Sequence, residues 1–171
     1  MLYVLKKAIF LDRDGVINEH RNDYVKTPEE FQLIPGVENW LKILSDLDFL
    51  LIIITNQSMI GRGISTLDNL NKIHSKMQNT FQSNGFKIDK IYFCSHTPEF
   101  DCDCRKPKTG LLKKAIQNFN IDVKNSWLIG DNYSDINAAK KINCKFIKIS
   151  TNSSLENAVN EIKSNLDSII S

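Results

Sequence analysis

Five short apolar runs, at residues 8–11, 49–54, 91–93, 127–129 and 146–149, alternate with longer stretches of helical spacing at 37–47, 66–85, 110–119, 133–142 and 155–169. A run that is apolar at nearly every position is buried on both faces. A strand that returns to the same sheet through a helix lies parallel to its predecessor. The pattern therefore predicts an α/β fold: a three-layer, Rossmann-like, doubly wound and mostly parallel sheet with helices on both sides. The last helical stretch is rich in Ser and Asn, yet it keeps apolar spacing at Leu155, Val159, Ile162 and Leu166. With 171 residues, 42% hydrophobic and 25% charged, the chain is expected to form a single domain over 1–171. No repeat, low-complexity tract or linker divides it.

A net charge of +2, with basic residues scattered along the chain, gives no footprint for nucleic acid or an anionic membrane. The longest apolar run, 49–54, is too short to cross a bilayer. Lys6 and Lys7 are followed by acidic residues without a small-residue cleavage site, which does not match a signal peptide. The expected compartment is the cytosol, where thiols stay reduced.

Parallel sheets bind ligands at the carboxyl ends of their strands. Here those ends read Asp12-Arg13-Asp14, Thr55-Asn56-Gln57, Cys94-Ser95-His96 and Gly130-Asp131-Asn132. Residues i and i+2 of an extended chain point to the same side, so Asp12 and Asp14 can face one phosphate, and Gly15 lets the chain turn away. An ordinary solvated turn has the same composition, whereas a calcium loop would carry its glycine two positions later. Two carboxylates at a strand tip suit phosphoryl transfer, with one as nucleophile and the other handling a proton. Thr55-Asn56-Gln57-Ser58 offers donors for phosphoryl oxygens, although the same residues form plain turns. Arg105-Lys106-Pro107 has the composition of an ordinary surface charge pair, and it also supplies the cations that a phosphoryl site needs, with Lys106 suited to a place beside the nucleophile and Arg105 to substrate oxygens. Gly61-Arg62-Gly63 is a flexible loop with a further cation and lacks the Gly-Lys-Ser/Thr of a Walker loop. Asp131 is placed to complete a magnesium site with Asp12, while Asp135 reads either as a first-turn acid of a helix or as part of the metal shell. The irregular segments 15–35 and 97–109 are long enough to cover such a site.

Cys94-x-His96 and Cys102-x-Cys104 form a second constellation, within a loop spanning 94–104. Three thiols and one imidazole match a closed, structural zinc set with no position left for water. The alternative is a group of buried or reducible cysteines with a surface histidine. Zinc here would fix the loop that presents Arg105 and Lys106. Cys144 stands apart and reads as a core thiol.

With Asp12-Arg13-Asp14-Gly15-Val16, Thr55, Lys106 and Gly130-Asp131 in that order, the chain resembles the haloacid dehalogenase-like phosphatases over nearly its whole length. Ile17-Asn18, the run from Thr55 to Gly63 and Cys102-Asp103-Cys104-Arg105-Lys106-Pro107 narrow the resemblance to the D-glycero-D-manno-heptose 1,7-bisphosphate 7-phosphatases, with histidinol-phosphatases as near relatives. The resemblance implies catalysis by Asp12 as nucleophile and Asp14 as general acid and base, with Thr55 and Lys106 steadying the phosphoryl group. It implies magnesium on Asp12, the Asp14 carbonyl and Asp131, and substrate contacts from Asn18, His20, Tyr24, Asn56, Gln57, Ser58, Arg62 and Arg105. It further implies a haloacid dehalogenase-like fold without a large cap domain, access being shaped by loops 15–35, 58–65 and the zinc loop.

The implied reaction is removal of the C7 phosphate through an aspartyl phosphate, in nucleotide-activated heptose biosynthesis for surface polysaccharide. The implied partner is a small-molecule sugar phosphate, and the chain is expected to be a monomer. Histidinol-phosphatase is the alternative enzyme. A zinc-stabilised binding module is the alternative outside enzymology, and the basic patch with interleaved aromatics that nucleic-acid binding would require is missing. Met59 stands where the heptose enzymes carry glycine and is expected at the pocket mouth, and Asn132 follows the metal aspartate where lysine is common.

Overall fold

Each apolar run becomes a parallel strand in the computed structural model, which describes residues 4–170. The strands are β1 (Ala8–Leu11), β2 (Leu50–Asn56), β3 (Lys90–Cys94), β4 (Trp127–Gly130) and β5 (Lys145–Lys148). Between and after them run α1 (Val37–Asp46), α2 (Leu67–Ser83), α3 (Gly110–Phe119), α4 (Tyr133–Lys141) and α5 (Glu156–Ile170). The sheet order is β3-β2-β1-β4-β5, with every neighbouring pair parallel. β1 is therefore central, and its last residue, Leu11, pairs with Ile53 on one side and Ile129 on the other. The chain winds outward from β1 in both directions, and the crevice this creates lies over the carboxyl ends of β1, β2 and β4.

β1, β4 and the first five residues of β2 are apolar because both faces are covered. Ile9, Leu11, Leu51, Ile53 and Ile129 join the larger core with residues of α1, α2 and α5, while Ala8, Phe10, Ile52, Ile54 and Leu128 join a second core with α3 and α4. These are the three predicted layers. The edge strands alternate in burial, β5 between partly buried and exposed positions and β3, after its exposed Lys90, between partly buried and buried ones. The partly buried Lys145 of β5 also sets an ammonium over the Trp127 ring.

α2 begins at Thr66, whose hydroxyl accepts from the Asn69 amide at 3.1 Å and so satisfies one of the orphan N–H groups of the first turn. Its buried stripe, Leu70, Ile73, Met77 and Phe81, has helical spacing and also contains His74. α4 starts with a capping box in which Asn132 caps the first turn and the Asp135 carboxylate accepts from the Asn132 amide. β2 runs two residues beyond the predicted 49–54, so Thr55 and Asn56 are strand residues paired with Phe93 and Cys94. Met59 corrects an expectation: it is fully buried in the larger core instead of shaping the pocket mouth. Beside the turn in which Ile60 N donates to Gln57 O, this unbranched apolar chain joins the core that also holds the buried stripe of α2, where burial is favourable. Cys144 is buried, as expected of a core thiol. Among the described residues no large cap domain interrupts the sheet and helices.

Candidate active site

β1 delivers Asp12 to the middle of the crevice, and Lys106 reaches it from the loop before α3. The Lys106 ammonium lies 2.9 Å from Asp12 Oδ1 and 2.6 Å from Asp135 Oδ1, and it donates to the Ile54 carbonyl at 2.6 Å. Only 4% of Lys106 is exposed, so this lysine is a fixed charge rather than a mobile surface cation. Burial works against that charge, but the Asp12 and Asp135 carboxylates outweigh it and hold the ammonium above its ordinary range. Burial pushes Asp12 up to about 6, with Lys106 opposing and Asp135 adding to the rise. Asp12 Oδ1 also accepts the Arg13 amide at 2.8 Å. Both donors fall on the same oxygen, leaving Oδ2 to the cleft.

Asp14 has the opposite electrostatics. Burial alone would raise it, but the Arg13 guanidinium and the Asn18 and Gln57 amides bring it below the usual carboxylate range. Arg13 NH2 donates to both Asp14 oxygens at 2.8 and 3.0 Å, Asn18 Nδ2 donates at 2.9 Å and Gln57 Nε2 at 2.7 Å. Gln57 also donates to Thr55 Oγ1 at 2.8 Å, linking the end of β2 to the second carboxylate. The chain turns between these groups at Gly15, whose φ is +85°. A Cβ there would come within 2.5 Å of Asp131 Oδ2, so the glycine is required both for its dihedral and for the close approach.

A cleft of about 460 Å³ opens above these groups. Asp12, Asp14, His20, Tyr24, Thr55, Asn56, Gln57, Ser58, Arg105, Lys106 and Asp131 all line it, which brings together most of the residues predicted from the sequence. Asn56 has a further task, since its side chain donates to the Lys106 carbonyl and accepts from the Lys106 amide. Two predicted substrate contacts lie elsewhere. Asn18 is fully buried beneath the cleft and bonds Asp14 and the Glu19 carbonyl, because the tight turn after Gly15 folds its side chain inward. Arg62 lies outside the lining, 3.8 Å from Glu99 on the zinc loop.

The carboxylates of Asp12, Asp131 and Asp135 approach within 4.8 Å of one another. Hard oxygen donors of this kind suit magnesium, which takes few protein ligands and keeps its waters. Thr151 Oγ1 donates to Asp131 Oδ2 at 2.6 Å and orients that carboxylate. Asp135 is the first-turn acid that caps α4, and its carboxylate also lies beside those of Asp12 and Asp131 and pairs with Lys106.

Beside the cleft, Cys94, His96, Cys102 and Cys104 converge. Their sulfurs are 3.0 to 3.5 Å apart, and His96 Nδ1 lies 3.2 Å from Cys104 Sγ and 3.7 Å from Cys94 Sγ. A tetrahedral zinc with bonds near ~2.3 Å places its sulfurs about 3.8 Å apart, so this donor set fits with small outward shifts. The His96 ring stacks on Phe100 at 4.3 Å between centroids, and the Arg105 guanidinium donates to the His96 carbonyl at 3.3 Å.

Sequence reasoning missed the inward role of Arg13, whose side chain is fully buried. The signal was available in part. A residue between two same-side carboxylates points the other way, into the protein, where an arginine needs paired acceptors. It also missed Thr151, and it missed Arg21, Asn22 and Ser134 in the lining of the cleft.

The HAD-hydrolase-like family model matches residues 103–171. The D-glycero-beta-D-manno-heptose-1,7-bisphosphate 7-phosphatase of Neisseria meningitidis serogroup A is 39% identical over 139 residues, covering 81% of this chain and 74% of the relative. The enzyme of the same name from Helicobacter pylori strain 26695 is 42% identical over 147 residues, covering 83% and 84%. The crystal structure of the D,D-heptose 1,7-bisphosphate phosphatase from B. bronchiseptica, complexed with magnesium and phosphate, superposes with a TM-score of 0.82 at 34% identity, covering 85% of this chain and 81% of that one.

Proposed function

The chain belongs to the haloacid dehalogenase-like phosphatases, in the group of the D-glycero-beta-D-manno-heptose-1,7-bisphosphate 7-phosphatases, and on that premise we propose that it removes the C7 phosphate of this bisphosphate in a magnesium-dependent reaction. The histidinol-phosphatase alternative is not favoured, since the relatives described above carry the heptose name. The observation that carries the mechanism is the seating of the buried Lys106 ammonium against Asp12, with Asp14 two residues further along the same strand tip.

In this reading Asp12 Oδ2 attacks phosphorus and the ester P–O bond breaks. Asp14, which takes up a proton once the negative charge of the substrate phosphate enters the cleft beside it, gives that proton to the departing sugar oxygen, and the phosphoryl group rests on Asp12 as an aspartyl phosphate. Water then attacks phosphorus while Asp14 takes up one of its protons. The P–O bond to Asp12 breaks, releasing inorganic phosphate and the free carboxylate. The Thr55 hydroxyl can donate to a non-bridging oxygen, while the Lys106 charge steadies the phosphoryl group and keeps Asp12 ionised against the cost of burial. Asp12, the Asp14 carbonyl and Asp131 would hold magnesium, which when bound would screen the charge at the phosphoryl group. Arg105, His20, Tyr24 and Ser58 line the cleft where the sugar and its second phosphate would lie.

Zinc on Cys94, His96, Cys102 and Cys104 keeps the Arg105-Lys106 segment in register with Asp12. The enzyme acts as a cytosolic monomer, and its product serves nucleotide-activated heptose synthesis for surface polysaccharide. No described helix is long and apolar enough to cross a membrane. A panel of both heptose bisphosphate anomers, fructose bisphosphate and histidinol phosphate tests the substrate, with phosphate release expected to be fastest on a heptose anomer. Preference for histidinol phosphate would overturn the assignment, and Asp12→Asn must abolish turnover.

A further inference from the structure

Arg13 is the largest of the fully buried side chains. A guanidinium cannot shed its charge, so burial demands that its N–H groups meet acceptors. Nε and NH2 face Asp14 at 2.8 to 3.3 Å. On the opposite side NH1 lies 3.3 Å from Nε2 of His74, which sits on the buried stripe of α2 and is itself 8% exposed. The His74 ring packs against Phe93 at 5.8 Å between centroids. Because arginine only donates, His74 must accept through Nε2 and carry its own proton on Nδ1. Burial, with the adjacent Arg13 charge, holds the ring neutral by pushing it down to about 3.

We propose that His74 is a positioning residue for the phosphatase reaction: its Nε2 anchors the Arg13 guanidinium, and the guanidinium in turn fixes the direction of the Asp14 carboxylate. The inference rests on the reading of Asp14 as the proton donor to the leaving group. Asn18 and Gln57 also hold Asp14, but they belong to the turns that carry the site. His74 comes from a helix of the core and is 61 residues from Arg13 in sequence, so it ties the donor to the rigid part of the molecule. Without it, NH1 is buried without an acceptor and the guanidinium turns away to find one, taking Asp14 with it.

The test compares His74→Leu, His74→Gln and His74→Asn on two substrates. The heptose bisphosphate has an alkoxide leaving group that needs a proton, whereas p-nitrophenyl phosphate releases a stable phenolate that does not. His74→Leu is expected to lower kcat on the sugar phosphate roughly tenfold or more, through misplacement of the donor, with KM changed less than about twofold. On the aryl phosphate the release of p-nitrophenolate in a single turnover, which reports only the first phosphoryl transfer, should stay within about twofold, because proton donation is not limiting in that step. His74→Gln, whose amide oxygen reaches about as far as Nε2, should recover most of the loss, and the shorter His74→Asn should not. Equal losses in that single-turnover rate and in kcat on the sugar phosphate, a change confined to KM, or no difference between Gln and Asn would each overturn the proposal. If the leucine variant does not fold, the Gln and Asn comparison still decides. Failure of the phosphatase reading is separate, since the wild type would then release no phosphate from the sugar.

Discussion

Replacing Lys106 by methionine preserves the length of the side chain and removes the charge. The ammonium it removes is buried and bridges the Asp12 and Asp135 carboxylates at 2.9 and 2.6 Å. Breaking a buried ion pair from one side costs about 3–5 kcal/mol, because the remaining charge is left without compensation. Two carboxylates share this lysine, so the upper part of that range is expected at pH 8 in metal-free protein. The cost must also depend on pH in a defined direction. Asp12 already sits at about 6 while Lys106 is holding it down, so losing the lysine raises it further. A carboxylate whose folded pKa lies above its unfolded value gives up stability as pH rises through the folded value, and regains it below. The penalty of Lys106→Met should therefore shrink to about 1 kcal/mol near pH 5. Urea unfolding with a chelator present, at pH 5 and pH 8, measures both numbers. Adding Asp135→Asn should restore much of the stability by removing one stranded charge, without restoring turnover, which should fall by about a thousandfold or more. A single variant within 1 kcal/mol of wild type at pH 8, or a penalty that does not change with pH, would refute the reasoning.

Metal analysis of protein purified without chelator should find about one zinc per chain, from the four-ligand count. Cys102→Ser should lower both zinc content and kcat, and unchanged kcat in zinc-free protein would separate the loop from catalysis. Gly15→Ala, at a φ of +85° with Asp131 Oδ2 2.5 Å from the new methyl, should cost at least about 1–2 kcal/mol and weaken magnesium activation. Isothermal magnesium titration of that variant checks the second effect. His74 is held at about 3 against an ordinary 6.5. Its contribution is intact above pH 6.5 and lost as pH falls toward 3, amounting to about 4 kcal/mol at the low end. Wild type should accordingly lose stability relative to His74→Gln between pH 7 and pH 4, and parallel profiles would contradict a neutral, buried imidazole.

The strands were legible because a doubly covered strand carries apolar side chains at every position, as β1 does from Ala8 to Leu11. α3 matches its predicted span, whereas β2 proved longer than its apolar run because Thr55 and Asn56 continue the ladder with polar side chains. Periodicity detects burial, and a polar residue paired in a sheet gives it nothing to detect. Within the site, the strand-tip positions of Asp12, Thr55 and Asp131 could be read from local pattern. The inward turn of Asn18 and the displacement of Arg62 toward Glu99 could not, since both depend on loop conformation.

By itself the sequence determined the alternation of strands and helices, the residues at each strand tip, and the presence of a thiol and imidazole set with metal-ligand chemistry. These follow from the chain's own geometry, since side chains alternate every two residues in a strand and recur every 3.6 in a helix. Only the tertiary structure decided which charge faces which. It set Lys106 between Asp12 and Asp135, folded Met59 into the core, and placed His74 behind Arg13. Those partners lie far apart along the chain, and no local periodicity encodes a distance that arises only when separate elements pack.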